Sequence, residues 1–167
     1  MSSRIGLTLG GLLMGACGGA APPPEVAEAL ACAQRWQTAE DPPPDDGSGV
    51  RFFCTTPIFR VSDIRASLRQ YREDFGFTVA WTWGDPVGFA AVRRGHSELF
   101  FCDDCQGNFG TWVTMFVDDV DQLHAEYQER GARVVQPPTD HTWGLREMRV
   151  QDRDGHVLRL GQGIDLD

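Results

Sequence analysis

The pattern of hydrophobic and polar residues becomes regular at Thr55. From there, short stretches in which hydrophobic and polar side chains alternate predict β-strands, because successive side chains of a strand point to opposite faces of a sheet. Two longer stretches repeat their hydrophobic residues every three to four positions, which predicts helices. The predicted elements of a first unit are a strand over 55–61, a helix capped by Ser62 or Asp63 and ended by Gly76, and strands Thr78–Trp83, Val87–Arg93 and Ser97–Cys102. Those of a second unit are a strand Thr111–Val117, a helix Asp119–Arg130, and strands Arg133–Gln136, Leu145–Val150 and Val157–Gly161.

The two units are copies of one layout. Asp63 aligns with Asp119 at a shift of about 56 positions, and the turn before His96 aligns with the turn before His156 at a slightly different shift. The prediction is an α+β domain over 54–163, built from tandem βαβββ modules at about 54–105 and 110–163. These modules would form a concave, partly closed mixed sheet with the helices outside. The Pro137-Pro138 segment is predicted to be a loop.

Composition narrows the possible partners. A chain of 167 residues suits one domain, and its formal net charge of −9 argues against nucleic acid as a partner. The acidic balance favours a cationic partner through long-range attraction, although solubility alone explains it equally well. All 15 basic residues are arginine, which is a compositional bias with little functional content.

The N-terminus has the three-part form of an export signal. Arg4 precedes a short apolar stretch, and the small residues before Cys17 resemble the lipobox of bacterial lipoproteins. Residues 1–17 are therefore predicted to be a lipoprotein-like signal, with Cys17 lipidated and the protein anchored to a membrane of the cell envelope. Residues 18–53, rich in Pro, Gly and acidic residues, are predicted to be a tether with one short helix, Glu25–Gln37. The alternative is a mis-assigned start and a cytoplasmic protein.

Three segments carry a resemblance to a known family. FRVSD lies at the end of the first strand, FVDDVDQL joins strand to helix in the second unit, and WGLREMRVQDRDGH lies near the C-terminus. With the two βαβββ units they resemble the vicinal oxygen chelate superfamily of glyoxalases, bleomycin resistance proteins and dioxygenases, and most closely the bleomycin resistance proteins. The resemblance implies a homodimer whose ligand clefts form between subunits.

The resemblance also implies where a metal would bind, and this chain departs from it there. The first-strand ligand position falls at Thr56 and its second-copy equivalent at Trp112, while the final-strand glutamate position falls at Arg159. The remaining position falls at Leu99, or at Glu98 if the alignment shifts by one. A guanidinium has no lone pair to offer and repels a cation. The sequence therefore predicts no metal and no other cofactor.

Histidines and cysteines add no catalytic site. Each histidine is predicted to be a solvated or hydrogen-bonded polar residue rather than a metal ligand: His96, His124, His141 and His156. Once Cys17 is lipidated, four cysteines remain, and they allow three pairings: Cys32, Cys54, Cys102 and Cys105. A structural disulfide is the expected outcome in an exported protein, and free thiols are the alternative in a cytosolic one.

Strand alternation predicts a concave face rich in aromatic side chains, suited to a flat aromatic compound. Each aromatic residue also has the simpler interpretation of a core residue. The predicted ligand-binding residues are Thr56, Ile58, Arg60, Trp81, Trp83, Phe89, Phe101, Trp112, Thr114, Phe116, Trp143, Glu147 and Arg159. Glu147, with Glu98 and Asp103-Asp104, could supply carboxylates to a cationic ligand, while Arg146 is expected to pair locally.

Three functions follow, in order of preference. The first is a metal-free binding protein of the bleomycin-resistance type, which sequesters a cationic aromatic or heteroaromatic compound without transforming it. The second is a metal-dependent lyase, isomerase or dioxygenase of the same superfamily. The third is an interaction module of the cell envelope in which the fold is only a scaffold.

Overall fold

A computed structural model describes Gly47 and residues 55–165 of the 167-residue chain. The predicted signal, the tether, the helix Glu25–Gln37 and the cysteines Cys17, Cys32 and Cys54 lie outside the described residues. No helix within the described part is long and apolar enough to cross a membrane.

The described chain contains two helices and eight strands, in the order βαβββ followed by βαβββ. The first module consists of β1 (Ile58–Val61), α1 (Ile64–Glu73), β2 (Thr78–Trp83), β3 (Phe89–Arg94) and β4 (Ser97–Asp103). The second consists of β5 (Trp112–Phe116), α2 (Val120–Arg130), β6 (Val134–His141), β7 (Leu145–Gln151) and β8 (Val157–Gly163). The predicted α+β fold of two modules is confirmed.

Both helices begin at the aspartates that aligned the two copies. Asp63 is extended, and its side chain accepts a hydrogen bond from the Ala66 N–H; Asp119 does the same for the Gln122 N–H. Such a cap satisfies one of the N–H groups that the first turn leaves without a partner. At the other end, α2 closes on Gly131 with φ 75°, a left-handed conformation that glycine adopts without strain.

Each module forms its own four-stranded mixed sheet. The strand orders are β1-β4-β3-β2 and β5-β8-β7-β6, so the two sheets share one topology. In each sheet the first strand runs parallel to the last, Ile58 lying beside Phe100 in one and Thr114 beside Arg159 in the other. The remaining pairs are antiparallel.

The prediction of a loop at Pro137-Pro138 is wrong, because both prolines lie within β6. Proline cannot donate a ladder hydrogen bond, but β6 is the last strand of its sheet and has a partner on one side only. Its register against β7 shifts on both sides of Gln136. The prolines fit in β6 because it is an edge strand with an irregular register.

One core joins the two modules. Buried residues of α1, α2 and the helix-facing strands form a single cluster, in which Phe75 and Tyr127 meet with ring centroids 5.7 Å apart. Arg94 of the first module pairs with Glu126 of α2 at 2.5 Å. The modules are therefore packed together through the sides of the sheets that carry the helices.

Buried polar groups also cross this junction. Tyr71 donates to Asp152 at 3.0 Å, and burial raises the pKa of that carboxyl. His156, fully buried, places Nε2 2.8 Å from the carbonyl oxygen of Arg60 and accepts the Thr111 N–H on Nδ1 at 3.1 Å. Because a carbonyl only accepts, the ring proton sits on Nε2. His156 is thus a hydrogen-bonded structural residue, as predicted.

Each sheet keeps a second face, called the open face below, that its helix does not cover. In β1 and β4 the core takes Phe59, Val61 and Phe101, so Ile58, Arg60 and Phe100 belong to the open face. In β5 and β8 the core takes Met115, Leu158 and Leu160, so the open face carries the residues between them: Trp112, Thr114, Phe116, Val157, Arg159 and Gly161. These open faces hold the candidate site.

Candidate ligand-binding site

The open face of the first sheet is an aromatic cluster that is largely closed. The Trp81 ring stacks on Phe89 with centroids 5.6 Å apart, and Phe100 packs edge-on against both. Trp83 lies beside Phe89 in register and is half-buried. Since Trp81 is only 8% exposed, this cluster presents little free ring surface. Thr56 lies just before β1 and is also half-buried.

The prediction that Phe101 belongs to the concave face is wrong. Phe101 is fully buried and packs edge-on against Tyr71 of α1 at 4.7 Å, on the opposite side of the sheet. Its neighbour Phe100 occupies the open face instead. A shift of one residue moves a strand side chain to the other face, and FF in the sequence offers no signal for choosing between the two.

Arg60 is held at the rim of the first sheet. Its guanidinium pairs with Asp104 and lies over the Phe109 ring, 5.3 Å from the centroid. A disulfide joins Cys102 to Cys105 in the same segment, whereas Cys32 and Cys54 lie outside the described residues. Arg60 is therefore engaged locally, and the acidic pair predicted to receive a cation supplies its partner.

The open face of the second sheet displays its aromatic residues to solvent. Trp112 is 58% exposed, Phe116 71% and Trp143 56%. Trp112 and Phe116 lie on β5 with Thr114 between them on the same face, and Trp143 stands in the turn between β6 and β7. Exposed aromatic groups of this size are typical of surfaces that bind a ligand or another protein.

A buried carboxylate lies at the centre of this face. Glu147 of β7 is fully buried, and its Oε2 accepts a hydrogen bond from Nη2 of Arg159 at 2.7 Å. Its Oε1 lies 2.5 Å from the same nitrogen without the alignment of a hydrogen bond. Burial opposes ionisation of Glu147, but the hydrogen bond and charge of Arg159 outweigh it and hold the pKa of the carboxyl below its usual value. Glu147 is therefore an ionised, paired group.

Two rings extend from this ion pair toward the rim. His141 places Nε2 3.5 Å from Glu147, and its ring stacks on Trp143 with centroids 4.1 Å apart and planes 8° from parallel. The Arg159 guanidinium lies 5.9 Å from the Trp143 centroid. This contact fixes the orientation of an indole whose outer surface remains exposed. From the sequence, His141 was predicted to be a solvated or hydrogen-bonded residue, and it was not among the predicted ligand-binding residues.

Arg149 also lies on this face, although it was not among the ligand-binding residues predicted from the sequence. It lies on β7, directly beside Arg159 of β8 in register, and its guanidinium stands 5.3 Å from the Trp112 ring centroid. Its Nε is buried and has no hydrogen-bond partner among the described residues. Strand alternation could have identified Arg149, because it lies two residues after Glu147 and therefore on the same face of β7.

Arg146, on the core side of β7, pairs locally as predicted. It binds Asp121 of α2 and Asp140 of β6 at 2.8 Å and 2.7 Å. Glu98 pairs with Arg93 across the first sheet at 2.6 Å. These carboxylates are therefore taken up by neighbouring arginines rather than presented to a ligand.

The donor set at the implied metal positions does not fit a divalent ion. Thr56 offers a hydroxyl, Trp112 offers an indole without an acceptor, and Arg159 places a permanent positive charge there. Residues 55–165 also contain no group of three or more His, Cys, Asp or Glu side chains that could hold a metal ion.

Strand pairing locates the fourth implied position on Phe100, not on Leu99 or Glu98. Ile58 and Thr114 are equivalent in the repeat, and their neighbours in register are Phe100 and Arg159. Phe100 is therefore the first-module equivalent of Arg159. A phenyl ring supplies no metal ligand, whereas Leu99 lies in the core.

A cavity of about 570 Å³ opens on the other side of β5, where the β3–β4 turn approaches the start of α2. Its lining includes Phe77 of the first module and Tyr127 of α2. Its cation Arg94 already binds Glu126 at 2.5 Å and the Phe75 carbonyl at 2.6 Å. This charge is occupied, so the open face of the second sheet remains the stronger candidate site.

Comparisons with known proteins agree with this architecture. The family model described as the glyoxalase/bleomycin resistance protein/dioxygenase superfamily matches residues 53–160. No curated protein matches the chain in sequence.

Several solved structures share the fold. TioX from Micromonospora sp. ML1 is 22% identical, with a TM-score of 0.57 over 66% of this chain and 100% of that one. The bleomycin resistance determinant encoded on the transposon Tn5 is 21% identical, with a TM-score of 0.57 over 66% and 97%. A bleomycin-binding protein complexed with bleomycin is 22% identical, with a TM-score of 0.56 over 66% and 98%.

The Glu147–Arg159 pair predicts a specific pH dependence of stability. At pH 7 we expect E147Q to lower the free energy of unfolding by about 1–3 kcal/mol, because it removes the charge that compensates Arg159. The folded pKa of Glu147 lies below the ordinary value of 4.5, so this stabilisation is present above pH 4.5 and is lost as the pH falls through the folded pKa. Urea denaturation of both proteins at several pH values measures the difference.

The matched control is E129Q, at an exposed position of α2. It should leave the stability within about 0.5 kcal/mol of the native protein at every pH. Equal stability of E147Q and the native protein at pH 7 would show that the pair contributes nothing.

Proposed function

Because the chain belongs to the glyoxalase/bleomycin resistance protein/dioxygenase superfamily, we propose that it is a metal-free small-molecule binding protein of the bleomycin-resistance type. It captures a flat aromatic or heteroaromatic compound and does not transform it. The observation that carries this proposal is the open face of the second sheet, where Trp112, Phe116 and Trp143 expose their rings around the paired, buried Glu147.

Ring contacts provide the affinity in this proposal. A stacked aromatic pair contributes about 0.5–1.5 kcal/mol beyond the area it buries, so three rings give up to about 4.5 kcal/mol. The apolar area buried against them adds to this, and together the two contributions suffice for a micromolar dissociation constant, about 8 kcal/mol. A nucleophile or a metal is not required for capture. The fixed orientation of Trp143, held by His141 and Arg159, lowers the entropy lost on binding.

The charge of the compound is a finer part of the proposal. A net charge of −9 attracts cations toward the protein over distances of about the Debye length, roughly 8 Å at physiological salt. The prediction that the ligand carries a cationic group therefore rests on the net charge of the whole chain.

Dimerisation belongs to the same proposal. Clefts formed between subunits are implied by the resemblance to bleomycin resistance proteins, and Phe116, 71% exposed in one chain, gives a second subunit an apolar surface to cover. Sedimentation velocity of the purified protein measures this assembly directly.

Ligand capture should depend on Trp112. We expect one saturable site for a planar aromatic ligand in the micromolar range, and we expect W112A to weaken it about 3- to 10-fold, which corresponds to the loss of one stacking contact. Isothermal titration calorimetry is the measurement, with bleomycin, metal-free and copper-loaded, as the first ligand and simpler heteroaromatic compounds after it.

The control variant for this titration is F109A, which removes an exposed ring from the segment after β4. It should leave the affinity unchanged. Absence of saturable binding by the native protein for every compound at tens of micromolar would count decisively against capture.

Metal independence has its own test. Elemental analysis of the protein as isolated should find less than stoichiometric zinc, nickel, manganese and iron, and a chelator should leave the dissociation constant of the aromatic ligand unchanged. Arg159 and Phe100 at the ligand positions are the physical reason. Stoichiometric metal, with a chelator-sensitive lyase, isomerase or dioxygenase activity, would establish the alternative.

Anchoring through Cys17 completes the proposal. The small residues before Cys17 support cleavage and lipidation, which would place the binding domain at the cell envelope. The full-length protein expressed in a bacterium should sediment with membranes, and C17A should release it from them. Recovery of both proteins in the soluble cytoplasmic fraction would support the mis-assigned start instead.

A further inference from the structure

We propose that Arg149 receives an anionic group of the captured aromatic compound: a carboxylate, sulfonate or phosphate carried by a ring that lies against Trp112. This assignment rests on the capture function proposed above and adds the chemistry of one end of the ligand.

The charge balance of the open face supports an anion. Arg149 and Arg159 lie side by side on β7 and β8, and like charges at opposed positions of a sheet destabilise each other. Glu147, two residues before Arg149 on the same strand, is the carboxylate of this face, and Arg159 already binds it. Gln136, the neighbour of Arg149 on β6, is neutral. One positive charge is therefore left without a compensating carboxylate among the described residues.

Hydrogen bonding supports the same conclusion. The Nε atoms of Arg149 and Arg159 are both buried, and no acceptor within residues 55–165 reaches either of them. A buried donor without an acceptor destabilises a protein, so such groups are normally satisfied. An oxyanion beside the Arg149 guanidinium would provide the missing negative charge, and a rotation of that side chain would bring its Nε to the acceptor.

The geometry joins this donor to the aromatic part of the site. The Arg149 guanidinium stands 5.3 Å from the centroid of Trp112, a ring that is 58% exposed. A guanidinium is planar and offers paired N–H groups that match a carboxylate, sulfonate or phosphate oxygen pair. A planar compound resting on the exposed surface of Trp112 would therefore bring an acidic substituent within reach of Arg149.

Long-range and contact electrostatics act on different scales here. The acidic chain repels anions over the Debye length, about 8 Å at physiological salt, and that repulsion slows the encounter. The contact itself is made with Arg149, in a partly buried environment where charge-assisted hydrogen bonds are stronger than in water. A compound that carries both a cationic and an acidic group would be attracted by the net charge through its cation and would bind Arg149 through its anion.

Two fluorescent probes that differ in one group test the assignment on the full-length protein. 8-Anilinonaphthalene-1-sulfonate carries an anionic sulfonate, and N-phenyl-1-naphthylamine has the same rings without it. We expect saturable binding of both, with the sulfonate bound at least tenfold more tightly. R149Q should weaken the sulfonate about tenfold, 1.4 kcal/mol, and leave the neutral probe unchanged. R65Q, which removes the same charge from an exposed position of α1, should change neither.

The outcomes separate this assignment from the capture function. If R149Q binds the sulfonate as the native protein does, or weakens both probes equally, Arg149 is not an anion site and capture stands. If neither probe binds the native protein, the anion assignment fails, and capture fails with it only if the heteroaromatic compounds titrated above do not bind either.

Discussion

The ion pair between Glu147 and Arg159 governs the chemistry of the second sheet. Both residues lie on its open face, and the carboxylate is fully buried under the guanidinium. A buried carboxylate keeps its charge only with a cation or several donors beside it, and here one arginine supplies that compensation. The resemblance to the superfamily implies a glutamate ligand at the position of this arginine, and a guanidinium has no lone pair with which to replace it. The neighbouring carboxylate is instead the partner of a fixed positive charge.

Duplication supplies two sheets of one topology, but the side chains have given their open faces different properties. Phe100 stands at the first-module position equivalent to Arg159, and Phe89 at the position equivalent to Glu147, as the strand registers show. In the first sheet these rings close on Trp81 and exclude solvent. In the second sheet the ion pair occupies the equivalent positions, and the aromatic residues Trp112 and Trp143 lie at the rim, where they are exposed. The first face is therefore packed, whereas the second leaves aromatic rings exposed.

Local rules in the sequence predicted most of the fold. Asp63 and Asp119 precede periodic apolar runs, and a carboxylate cap needs only the next three residues, so both helix starts were predictable. Pro137 and Pro138 were misplaced because proline excludes only central strands, and the sequence does not say that β6 is an edge. The face of Phe101 was predicted wrongly for a related reason, since either of two adjacent phenylalanines can occupy the buried face. Within the candidate site, alternation predicted that Trp112, Thr114 and Phe116 share one face of β5. Arg149 was not recognised because its significance lies in the neighbouring strand, where Arg159 has already taken the carboxylate.

The acidity of the chain and the arginines of the site are compatible because charge acts on two scales. Net charge sets a field that is screened within a few solvent layers, and it governs solubility and encounter rate. Affinity depends on the groups that touch a ligand, and in the proposed capture those would be the rings and two guanidiniums of this open face, with Glu147 already paired. Whole-chain composition therefore indicates which molecules approach, whereas strand register determines which chemical groups are held. Ligand charge in a protein of this kind has to be argued from the paired neighbours on a single sheet face, because the average over the surface can carry the opposite sign.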